Sequence, residues 1–225
     1  NAALRALERA TAVRNALGAG APFATELRLT PAVLRWLASL ADGSYVKALY
    51  TDFRAVCACG PLLVNLITLG SSQIRVDGVR ARLDLRRTPE VLAYLLDRGS
   101  VRLERVLLEL FGDQDPEHAR SYFHQVRYEL ARAVPGLKVP FDPQSKTYSV
   151  SREGLDLVWD AERARLAIAG GGALVLEEAL DWLQEGFLPE ADSEWAHAYR
   201  EELVASLMRA GLATVERLHA GREYP

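Results

Sequence analysis

Between Asp115 and Val134 the chain places side chains that can read a base edge at helical spacing. Gln125 can pair bidentately with adenine and Arg132 with guanine, while Ser121 and Tyr128 can bind phosphate. At about 100° per residue, Ser121, Gln125, Tyr128 and Arg132 share one face of a helix. His124 lies beside them, and Arg120 and Arg127 flank the set. Ala119, Phe123, Val126 and Leu130 fall on the opposite, apolar face. A solvated surface helix would show the same division, so the pattern alone leaves both readings open.

No other grouping reaches a chemistry. Cys57-x-Cys59 is half a metal site, and zinc wants four ligands. His118, His124, His197 and His219 share no ligand spacing. Gly170-Gly171-Gly172 is followed by no lysine and is no phosphate loop. Glu177-Glu178 and Glu201-Glu202 read as exposed helix faces, and no Ser-His-Asp or Cys-His set is identifiable. We therefore expect no catalytic residues, no metal, no cofactor and no enzyme activity.

The elements around the candidate helix follow from caps, breakers and periodicity. Residues 1–60 read as helices. Leu4, Leu7, Ala10, Val13 and Leu17 form one stripe, Thr30-Pro31 opens a second helix, and a third runs from Val46 to Val56. After Gly60-Pro61 the period changes to two. Val64, Leu66 and Thr68, then Ile74 and Val76, then Val79, Ala81, Leu83 and Leu85 alternate, with Asp77-Gly78 as a two-residue hairpin turn. Thr88-Pro89-Glu90 is expected to cap and open a helix to Gly99. Val101 to Phe111 reads as a second helix, and Asp115 caps a third that starts at Pro116 and runs to about Val134. Lys138 to Phe141 and Lys146 to Val150 predict a closing hairpin. Strands, helix, helix, loop, helix, hairpin is the order of a winged helix-turn-helix, whose third helix can enter the major groove. Lys138 and Lys146 on the wing are then candidate phosphate contacts. Beyond Ser151 the chain is helical again, with Trp195, Tyr199, Leu203 and Leu207 at four-residue spacing. That stripe is expected to pack near Trp159 rather than to swing free.

Length and charge agree with this division. The 225 residues are 49% apolar and 25% charged, as in ordinary globular proteins. The net charge of −3 is uneven. Residues 1–65 carry 7 basic and 4 acidic side chains, residues 66–150 carry 13 and 11, and residues 151–225 carry 7 and 15. A polyanion would be met by the first two thirds. No apolar run is long enough to span a membrane. The chain opens on Asn1 with no charged, apolar leader, and with two cysteines the expected compartment is the cytoplasm.

The same residues carry a resemblance. Leu69-Gly70, Asp77-Gly78, Val91 to Leu95, Leu107 to Phe111, Asp115-Pro116-Glu117, Ala119-Arg120 and Leu130 to Val134 resemble the DNA-binding domain of the SARP family. These are bacterial transcription activators with an OmpR-type winged helix. Phe187-Leu188-Pro189, Asp192, Glu194-Trp195, Arg200 and Leu203 are similar to the bacterial transcriptional activator domain that follows it in that family. The resemblance implies a regulator of double-stranded promoter DNA. It also implies a loop, Gly112 to Asp115, that faces RNA polymerase. The acidic third would be a tetratricopeptide-like module for self-association or signal input. Departures are Phe111, where relatives have tryptophan, and Glu129 and Ala131, where relatives often have arginine. A glutamate there is expected to lie near phosphate and to weaken binding. The activator segment is also short.

The expected fold is mainly α with small antiparallel β elements. It comprises an N-terminal helical region (1–62), a winged helix (63–150) and a short activator-like helical domain (151–225). The expected function is sequence-specific DNA binding. The alternative is a helical protein-interaction scaffold whose winged helix no longer reads DNA.

Overall fold

The computed structural model describes residues 61–170, 180, 181, 183, 184 and 186–220, together with residues 9, 12, 13 and 16 near the start of the chain. Apart from those four residues, the helices expected within 1–60 lie outside the described residues, as do the Cys57-x-Cys59 pair and Glu177-Glu178.

A four-stranded sheet comes first. β1 (Leu62–Ile67) pairs antiparallel with β2 (Gln73–Val76), which pairs with β3 (Val79–Arg80). Asp77 and Gly78 form the two-residue turn, both with positive φ (49° and 77°), the conformation for which this dipeptide is suited. β3 ends at Arg80, so the alternation through Leu85 does not continue as strand. The reason is tertiary. The backbone N–H groups of Asp84 and Leu85 are taken by the Glu129 carboxylate rather than by a neighbouring strand.

The fourth strand comes from the acidic third. β7 (Leu155–Trp159) lies parallel to β1, with Val64 opposite Leu157 and Leu66 opposite Trp159. The sheet is therefore mixed, not purely antiparallel, and it crosses the expected boundary at residue 150.

Three helices follow: α1 (Thr88–Arg98), which packs on β1, then α2 (Leu103–Phe111) and α3 (Pro116–Ala133), which pack on each other, with α3 also against α1. Asp115 caps α3 as its sequence predicts, its carboxylate accepting from the N–H groups of Glu117 (3.1 Å) and His118 (3.0 Å). Thr88 does not cap α1. It is the first helical residue, and its hydroxyl donates to Glu129 instead. Val101 and Arg102, read as the start of α2, form strand β4. β4 joins β6 (Thr147–Tyr148), which pairs with β5 (Phe141–Asp142), giving a small three-stranded sheet. The result is a winged helix-turn-helix with a short wing.

α4 (Asp160–Gly170) and α5 (Glu194–Ala220) complete the described chain. Trp195, Tyr199, Leu203 and Leu207 are all buried, as their spacing predicts. Tyr199 lies 5.6 Å from Trp159 and stacks on Phe187 at 4.5 Å, while Trp195 meets Tyr94 of α1 edge-on at 5.4 Å. The Trp195 indole N–H donates to Asp97 (3.0 Å). Arg200 holds the Phe187-Leu188-Pro189 connector by donating to the carbonyls of Phe187, Leu188 and Ala191. The acidic third thus shares one core with α1 and the first sheet. Among the described residues no helix is long and apolar enough to cross a membrane.

Candidate nucleic-acid interface

The orientation of α3 follows from burial. Ala119, Phe123, Val126 and Leu130 are at most 1% exposed, so the residues a half-turn away must face solvent. Arg120, Ser121, His124, Gln125, Tyr128 and Arg132 do so, and Tyr128 is 73% exposed. Ser121, His124, Gln125, Tyr128 and Arg132 line one side of a shallow groove of about 480 Å³, which Asp84, Leu85 and the largely buried Glu129 complete. Five of the nine sequence-predicted residues are thus brought together.

The other four are placed differently. Arg127 is half-buried and held inward. Its Nε and Nη2 donate to the Val139 carbonyl at 3.0 and 2.7 Å, and its guanidinium lies over the Tyr148 ring at 4.6 Å. It fastens α3 to the base of the wing. Arg120 is exposed but outside the groove. Lys146 occupies the wing turn with φ of 56°, beside an Asp142 carboxylate that accepts from the Ser145 hydroxyl (2.6 Å) and the Gln144 N–H (2.9 Å). Lys138 is exposed at the wing's base, where its backbone bridges to Ser151.

Two electrostatic features shape the groove. Arg132 donates to Asp84 at 2.6 Å, which holds the Asp84 carboxyl below the usual range. Partial burial, then the neighbouring Arg127 and Arg120 charges, hold His124 below its ordinary value. Glu129 belongs to the groove's lining, with a carboxylate oxygen 3.8 Å from the Arg132 guanidinium, but it does not project outward with the others. It is 3% exposed and points into the protein, where it accepts from Asp84, Leu85 and Thr88. The expectation that it faces phosphate is corrected: one helical step from Leu130, it lies at the edge of the buried face, and three inward donors hold it there.

A solved structure, Mycobacterium tuberculosis EmbR in complex with low affinity phosphopeptide, is similar to this chain at 21% sequence identity and a TM-score of 0.48. The likeness covers 72% of this chain, and the chain spans 47% of the length of that one. No family model and no curated protein matches the sequence.

Sequence reasoning missed Asp84, the acid that engages Arg132. The available signal was charge at alternate positions, Arg80, Arg82, Asp84 and Arg86, just before a helix start. Among the described residues, no three His, Cys, Asp or Glu side chains gather as a metal site.

Proposed function

We propose that the chain is a SARP-type transcription regulator that reads promoter DNA with α3. The observation that carries this reading is the α3 groove. It collects a base-reading amide, a guanidinium, a hydroxyl and a largely exposed tyrosine on one convex helix flanked by a wing. Gln125 and Arg132 supply base contacts, Ser121, Tyr128 and Arg120 supply phosphate contacts, and Lys146 on the wing turn supplies a further one. Arg127 acts through position, by holding the wing against α3. Arg132 must exchange Asp84 for a base, and an exposed ion pair is weak enough for that exchange. Phosphate repulsion keeps the acidic third away from the duplex. The Gly112 to Asp115 loop, exposed between α2 and α3, is the proposed contact for RNA polymerase.

The test is selection from random duplexes followed by substitution. Gln125→Ala and Arg132→Ala each reduce discrimination for the selected site by about 1–3 kcal/mol, the worth of a bidentate base contact. Full retention of selectivity in both variants would show that α3 is not the reading element.

His124 gives a pH signature. Its pKa is depressed in the free protein, and nearby phosphate raises it, so binding takes up a proton. Affinity therefore rises as pH falls through the ordinary histidine range, and His124→Gln flattens that dependence. Anisotropy titrations at constant salt measure it. An equal pH dependence in parent and variant would remove His124 from the interface.

The scaffold alternative draws on one observation. Val204, Met208, Leu212 and Val215 form an exposed stripe on α5, each at least 54% accessible. Under that reading no duplex is recovered at low salt.

A further inference from the structure

We propose that the segment between β3 and α1 is a second, phosphate-binding arm of the DNA interface, with Arg80 and Arg82 as its contacts. The inference rests on the DNA reading above and extends it to a surface outside both α3 and the wing.

Residues 80–87 hold four arginines and one aspartate. Two of the arginines are occupied. Arg86 donates to the Glu190 carbonyl at 2.8 Å, and Arg87 is bonded to Glu90 at 2.7 Å. The one acid, Asp84, is paired with Arg132 at 2.6 Å in the free protein, and the arginines of the segment still outnumber it when that pair opens on DNA. Arg80 and Arg82 remain exposed, with no hydrogen bond or ion pair to a described residue. Arg80 stands opposite Arg75 in the β2–β3 register, and Arg75 donates to the Gln73 amide oxygen at 3.4 Å. Arg80 and Arg82 line an open hollow of about 470 Å³ together with Ser72, Gln73 and Arg86, and its one acid, Glu190, is paired with Arg86 at 3.3 Å. Its arginines and the Gln73 amide are donors suited to phosphate oxygens.

Position makes the duplex backbone the fitting partner. The segment does not float. Its backbone at Asp84 and Leu85 is bonded to Glu129 of α3, and Asp84 itself reaches Arg132 on the reading face. Arg82 is two residues from that junction, close enough to contribute, after Arg132, to holding down the Asp84 carboxyl. A duplex seated on Gln125 and Arg132 continues past Asp84 toward Arg82 and then Arg80. Phosphates recur along each strand, so the arm adds affinity without reading sequence.

The test uses the full chain, one selected duplex and one scrambled duplex of equal length, titrated from about 50 to 200 mM salt. The double variant Arg80→Ala/Arg82→Ala lowers the slope of log affinity against log salt by about 0.9 for each phosphate no longer neutralised. The loss is equal on both duplexes, and the preference between them is unchanged. Arg80→Lys/Arg82→Lys restores the slope. Both side chains are exposed, so the melting temperature stays at the parent's value. An unchanged slope in the alanine variant overturns the arm and leaves the α3 reading standing. A loss confined to the selected duplex also overturns it, because that marks a base contact. A parent that binds neither duplex overturns the DNA reading and the arm with it.

Discussion

A chain ending at Val150 does not unfold cooperatively at the parent's temperature. The cut removes β7, and with it the five-residue parallel pairing along β1, from Leu62 opposite Leu155 to Leu66 opposite Trp159. It removes Asp160, whose carboxylate accepts from the Thr68 N–H and hydroxyl and the N–H groups of Leu69 and Ala161. The N–H groups of Thr68 and Leu69, just past β1, then lose their acceptor, and β1 keeps only β2 beside it. It also removes Trp159, Phe187, Trp195 and Tyr199, all at most 4% exposed, which cover Tyr94 and the inner face of the sheet. Fully burying one large apolar side chain is worth about 1.5–3 kcal/mol. Four of them together match the whole stability of a typical domain, about 5–15 kcal/mol. Near-ultraviolet circular dichroism and a thermal melt of residues 1–150 measure this. A sharp transition at the parent's temperature would mean that β7 and α5 are appended to a self-sufficient winged helix.

Glu129→Ala destabilises the protein by about 3 kcal/mol, because it strands the Asp84 N–H, the Leu85 N–H and the Thr88 hydroxyl, each costing about 1–3 kcal/mol when buried without a partner. The exposed edge at Asp84 admits water and keeps the total near the lower end of that range. Glu129→Gln retains one acceptor oxygen and loses roughly half as much. Glu129→Arg is the sharper variant. It reinstates the residue type that the resembled family often carries, and on charge alone it should tighten DNA binding. Here it places a guanidinium against three donors, so stability falls by more than in the alanine variant and affinity does not improve. Urea denaturation at pH 7 checks all three. If Glu129→Arg kept full stability and bound duplex more tightly, the contacts to Asp84, Leu85 and Thr88 would not be what holds position 129 inward.

Both effects arise from partners distant in the chain, whereas the faces of α3 were legible because helical periodicity needs only neighbours within a few turns. Ala119, Phe123, Val126 and Leu130 are inside for the reason their spacing gives. The Asp115-Pro116 start, the Asp77-Gly78 turn and the Trp195 to Leu207 stripe are of the same kind, since each is set by backbone geometry or side-chain spacing within one element. The basic character of residues 66–150 and the acidity of the last third are likewise properties of the sequence alone.

Tertiary structure decided the rest. Thr88-Pro89 looks like a cap, but a carboxylate 41 residues away claims the hydroxyl. Arg127 looks like a phosphate contact, but the Val139 carbonyl and the Tyr148 ring take its guanidinium. Leu155 to Trp159 carries no signal for its parallel partner, yet it pairs with β1 along five residues, and Asp160 meets Thr68 from 92 residues away. Hydrophobic periodicity says which face is buried, because burial depends on area and not on direction. It does not say which distant donor a carboxylate or guanidinium will meet. Hydrogen bonds and ion pairs are directional and short-ranged, so their partners are settled only once the backbone has brought them within about 3 Å.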